Sequence, residues 1–134
     1  MSTILNTVAS YLTDLTATNS ICVALGTTFD STNVFLGFEQ ESSSDSITIY
    51  PYSGELPNTD GYRQNPYVQL SLKTSTRSKS LNAGQAIINH MHMNSLNGNG
   101  HVRCLNSAPI LLGNREDGKW IVSVSNYSIK HIKI

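Results

Sequence analysis

The stretch VRCLNSAPILLGNREDGKWIVSVSNY, from Val102 to Tyr127, decides how the rest of the chain can fold. Two apolar runs, residues 108–112 and 120–124, flank the polar segment Asn114-Arg115-Glu116-Asp117-Gly118-Lys119. Asp117-Gly118 is a strong turn signal, because glycine takes a positive φ without steric penalty. In the second run Trp120, Val122 and Val124 alternate with Ile121, Ser123 and Ser125. A period of two predicts a half-buried antiparallel strand. The segment is therefore expected to be a long hairpin whose Trp120 face closes the core. Its strands are read as scaffold, since function sits mostly in loops.

Upstream of the hairpin, Leu81, Gly84, Ile87, Ile88 and Met91 recur at helical steps and predict a helix that fades by Asn94. Ser78 or Ser80 is its expected cap. Gly84 is expected to let the helix sit close on the sheet. Asn97-Gly98-Asn99-Gly100 marks the turn that follows. Residues 67–74 read as a strand with Val68, Leu70 and Leu72 inward. Residues 34–38 and 47–52 read as two more strands, and Ile21–Leu25 as a short strand-like apolar run ending at Gly26. At the start, Ile4, Leu5, Val8, Ala9, Leu12 and Leu15 form one stripe of a helix capped by Ser2 or Thr3. Residues 128–134 read as an alternating tail. The order helix, strands, helix, strands predicts an α+β fold. It has an antiparallel or mixed β-sheet, two helices packed on one face and a long C-terminal β-hairpin. Residues 1–134 are expected to form a single domain.

The chain has 134 residues and a formal net charge of zero. A neutral chain predicts no field that recruits nucleic acid or an anionic membrane. Charged residues are 13%, against about 25% in ordinary domains. Serine, threonine and asparagine fill about a third of the chain in their place. Such a surface is cheap to desolvate and suits a subunit buried in an assembly, and host composition explains it equally well. No basic start, continuous apolar leader or membrane-spanning run is present. Cys22 and Cys104 sit in apolar runs and read as buried thiols, with a disulfide between them left open.

The search for chemistry ends without a constellation. His90 and His92 are two apart, so on a helix they point about 200° apart. His101 and Cys104 could join one of them only by folding. Glu39, Glu41 and Asp45 lack the fixed geometry of a calcium loop. No nucleophile elbow and no phosphate loop occurs. The expectation is a non-enzyme with no catalytic residues, no cofactor and no metal. The loop of residues 53–66 is long for a compact domain, and with Leu56, Tyr62, Tyr52 and Tyr67 it reads as an assembly arm or a mobile loop.

Six stretches, in order, carry a family resemblance: ILNTVASYLTDL (4–15), VFLGFEQ (34–40), SITIYPYSGELPN (46–58), PYVQLSLKTS (66–75), KSLNAGQAIINHM (79–91) and SAPILLGNREDGKWIVSVSNYSI (107–129). Together they resemble the small tail-terminator and minor capsid proteins of tailed bacteriophages, which act in tail completion and at the neck. The chain departs from that pattern in its low charge, in the serine-rich segment 41–45 and in the absence of acidic residues around 80–88. The resemblance implies a structural virion protein forming a ring, usually a hexamer, on the head-proximal end of the tail tube. Such a ring stops tube polymerisation and offers a docking surface to the head connector. The implied partners are further copies of the chain, the tail tube protein and the head–tail connector proteins. Phage DNA would pass through the lumen without sequence-specific contacts, and no membrane is involved. The implied place is the virion tail or neck, assembled in the cytoplasm of the bacterial host. Loops 39–45, 54–65 and 114–119 are the expected assembly contacts. Two alternatives stand beside this: another neck component, such as a head-completion or connector-adaptor protein, and a small monomeric ligand-binding α+β domain.

Overall fold

The computed structural model describes residues 3–30, 32–37, 45–52, 63–64, 67–96, 100–115 and 120–132. Helix α1 spans Thr3–Thr13. Its stripe Leu5, Val8 and Leu12 is buried, as the three- and four-residue spacing requires. Thr3 is already helical, and Ser2 lies outside the described residues.

Helix α2, Ser20–Leu25, corrects the strand-like reading of residues 21–25. The Asn19 side chain accepts from the Ile21 N–H, and Gly26 closes the helix at φ +82° with its N–H on the Cys22 carbonyl. A five-residue apolar run has no period of its own, so these two caps decide its conformation. Ile21, Cys22 and Leu25 face inward, and Val23 is left 66% exposed.

Seven strands follow or flank helix α3: β1 (Val34–Leu36), β2 (Ser46–Tyr52), β3 (Arg63–Gln64), β4 (Tyr67–Thr74), β5 (His101–Cys104), β6 (Ile110–Arg115) and β7 (Trp120–Ile132). Helix α3 spans Arg77–Met91. Its cap is Thr76, whose hydroxyl accepts from the Lys79 N–H at 3.1 Å, and not the expected Ser78 or Ser80. Ala83 takes the inward place expected of Leu81, which is exposed.

The fold is α+β with a mixed sheet. β1 and β2 are parallel, and every other pair is antiparallel. The sheet runs β1-β2-β4-β7, and β7 is its organising strand. Residues 128–132 of the expected tail belong to β7, and 133–134 lie outside the described residues. β4 lines one side of β7, and β3 extends the same register, since Arg63 faces Ile132 and Tyr67 faces Ser128. β5 and β6 lie end to end on the other side, against 127–130 and 120–124 respectively. The hairpin is therefore β6–β7, with a bulge between Leu111 and Gly113.

The main core joins the three helices to one face of this sheet. Leu5, Leu12, Ile21, Leu25, Ile87 and Met91 meet Ile47, Ile49, Leu70, Leu72, Tyr127 and Ile129. Strand alternation puts Ser123 and Ser125 on this face as well, and puts Trp120, Val122 and Val124 on the opposite one. The Trp120 face is buried as expected, but it is the face turned away from the helices. Trp120 is buried, but on the second face beside Lys73, whose ammonium lies 5.0 Å from the indole centroid. The physical reason is helix approach. α3 comes so near that a Cβ on Gly84 would lie 2.9 Å from Pro109 Cβ and 3.4 Å from Ser123 Oγ. Only small groups fit there, so the serines are inward because they are small. This bears out the close seating expected of Gly84.

Candidate functional site

The chemistry-bearing side chains are dispersed and structurally engaged. His90, in the last turn of α3, shares a hydrogen bond of 2.6 Å between its Nε2 and the Tyr11 hydroxyl. Asn94 Nδ2 donates to that same hydroxyl at 2.8 Å. The two rings stack with centroids 5.8 Å apart. This cluster clasps α1 to α3. His92 caps α3, and its Nδ1 accepts from the Cys104 N–H at 3.0 Å. His101 is exposed on β5. Among the described residues no three His, Cys, Asp or Glu side chains come together to hold a metal.

Asp45 is held by Lys79 at 2.8 Å and by the Ser75 N–H at 3.1 Å. Glu39 and Glu41 lie outside the described residues. Both cysteines are free thiols. Cys22 is on α2 and Cys104 on β5, where its Sγ donates to the Asn106 carbonyl at 2.9 Å. Burial pushes both thiols up from their ordinary value, which disfavours a reactive thiolate at neutral pH. Burial likewise pushes the Tyr127 phenol far up, and its hydroxyl bonds Ser125 Oγ at 2.8 Å.

The feature that stands open is the outer edge beyond β7. Along β5 this edge is closed. The Met93 N–H donates to the Val102 carbonyl at 2.7 Å, and the Val102 N–H donates to Asn94 O at 2.9 Å. With His92 on the Cys104 N–H, residues 92–94 act as a cap on the outward groups of β5. Met93 adopts φ +65° to do so, an uncommon conformation for a residue with a side chain. No second strand lies along β6 among the described residues. Leu105, Ile110 and Leu112 are 45%, 42% and 57% exposed around it. Gln85 Nε2 on the Ser107 carbonyl, at 3.2 Å, ties the start of this stretch to α3. Residues 104–114 contain no charged side chain. Natural edge strands are usually blunted by charge, and β6 carries none before Arg115 at its end.

No family model and no curated protein matches the chain. The site therefore has to be read from its own geometry. Loops 39–45, 54–65 and 114–119, expected to make the assembly contacts, lie outside the described residues except Asp45, Arg63, Gln64, Asn114 and Arg115. Residues 108–112 read in sequence as scaffold, and their exposure at an edge is not expected from it. Its signal was present as an apolar run, Pro109-Ile110-Leu111-Leu112, inside an uncharged stretch and beside a glycine at the bulge. Among the described residues no helix is long and apolar enough to cross a membrane.

Proposed function

We propose that this protein is a structural virion subunit resembling the tail terminators of tailed bacteriophages. It forms a ring, of hexameric size in that family, on the head-proximal end of the tail tube. The ring stops tube growth and gives the head connector its docking surface, and DNA passes through the lumen without base readout. The role is assembly, with no catalytic step and no cofactor.

The observation that carries this reading is the exposed β6 edge, uncharged from residue 110 to 114, with Leu105, Ile110 and Leu112 around it. A row of apolar side chains along an open strand is a surface made for contact with another chain. A net charge of zero removes long-range repulsion between copies, which favours self-association. A ring follows when each copy offers two different faces and the rotation between copies closes.

The test is the solution mass by light scattering, followed by mixing with tail tubes. Rings, or monomers that become rings on tube ends and fix tube length, support the terminator. Rings that ignore tubes and bind filled heads indicate a neck adaptor. A monomer indifferent to both overturns the reading in favour of a ligand-binding domain.

A further inference from the structure

We infer that the ring is closed by strand pairing between opposite sheet edges, the β6 edge of one copy adding antiparallel to the β1 edge of the next. This rests on the ring reading above and names its contact.

The sheet has two ends. At one end β5 is sealed by residues 92–94, which leaves β6 open there among the described residues. At the other end lies β1, which has β2 on one side and no strand on the other among the described residues. Asn33 and Gly37 direct their backbone groups to β2, through the Ile47 N–H on Asn33 O at 2.8 Å and the Gly37 N–H on Ile49 O at 2.9 Å. Alternation then turns the Leu36 N–H and carbonyl away from β2, toward the outside. The chain thus carries two unlike edges, one at each end of one sheet. Unlike edges give a head-to-tail contact, the kind from which rings are built.

Direction and charge agree with this pairing. β1 has three residues, Val34–Leu36. β6 offers Ile110 and Leu111 before its bulge, in which Leu112 is the extra residue. β1 runs with β2, against β4, with β7 and against β6. Copies related by a rotation that preserves strand direction therefore bring β6 and β1 together antiparallel. Neither 34–37 nor 104–114 carries a charge, so no charge is desolvated when the edges meet. The register also fixes the faces. Leu36 lies beside Ile49 and Leu111 beside Ser123, both on the helix side of the sheet. A sheet continuing across copies puts Leu36 of one next to Leu111 of another. The exposed Ile110 and Leu112 then lose their contact with water.

The experiment uses the full chain, with tail tubes present if rings form only on them. Leu112→Lys and Ile110→Lys are each examined by light scattering, with thermal melts to verify folding. Chains Leu36→Cys and Leu111→Cys, both carrying Cys104→Ser and keeping only the buried Cys22 of the native thiols, are oxidised alone and as an equimolar mixture. The expected result is loss of rings for both lysine variants at concentrations where the parent is fully assembled. Disulfide dimers are expected from the mixture and from neither chain alone. Rings that persist in folded lysine variants, or a parent ring without crosslinks in the mixture, overturn the pairing and leave the ring reading intact. Dimers from Leu111→Cys alone indicate a two-fold contact and also overturn it. A parent that stays monomeric with and without tubes overturns the ring reading and this inference with it.

Discussion

β5 and β6 lie on the same side of the same strand and have opposite fates. β5 is covered by the turn that leaves α3, with Met93 bent to φ +65° and the His92 ring turned onto the Cys104 N–H. Among the described residues β6 keeps its outer side clear and its apolar side chains exposed. A backbone held at positive φ costs on the order of 1–3 kcal/mol and persists only when its surroundings impose it. The chain accepts that strain to seal one strand and leaves its neighbour open. An edge that could be closed locally, and is closed only in part, is the one the proposed assembly contact uses.

The comparison can be broken at four places. The largest effect is expected at Trp120, which pairs with Arg115 at the far end of the β6–β7 ladder and is buried beside Lys73. Trp120→Ala should lower unfolding free energy by roughly 3–5 kcal/mol in denaturant titration. A loss below 1 kcal/mol would show that the second sheet face contributes little to stability.

Gly84→Ala comes next, because the new Cβ meets Pro109 just before β6. Overpacking of this kind should cost about 1–3 kcal/mol, and hydrogen exchange should rise in β6 before it rises in β5. Equal effects on the two strands would mean that α3 does not set the position of β6.

His92→Ala unseals β5. It should cost about 0.5–1.5 kcal/mol and speed exchange of the Cys104 amide selectively. An unchanged Cys104 amide would remove His92 from the seal.

Leu112→Lys should be the mildest for the isolated fold, within about 0.5 kcal/mol of the parent in a thermal melt, because the side chain is 57% exposed. Its consequence is expected in assembly, where rings should be lost. A fold strongly destabilised by this substitution would mean that the β6 edge serves its own chain.

Much of this architecture was legible from local pattern. α1 and α3 announce themselves by apolar residues at three- and four-residue steps, and β4 by Val68, Leu70 and Leu72. Asp117-Gly118 between two apolar runs placed the β6–β7 hairpin. Ile21–Leu25 failed because a run so short fits a strand or a helix, and the capping of Asn19 and Gly26 settled it. The candidate site was less legible. The uncharged run through Ile110 and Leu112 was visible, but its exposure depends on which strands reach the edge.

By itself the sequence determined the α+β class, the hairpin and the alternation along β7, since these follow from periods of two and 3.6 and from turn chemistry. Only the tertiary structure decided which side of β7 meets the helices. Alternation separates Trp120 from Ser123 but cannot say which is inward when both faces are buried, and the close approach of α3 at Gly84 chose the serines. The tertiary structure alone also decided that residues 92–94 cover β5 and stop short of β6. A backbone hydrogen bond depends on where two segments meet in space, and no residue type records that meeting in advance.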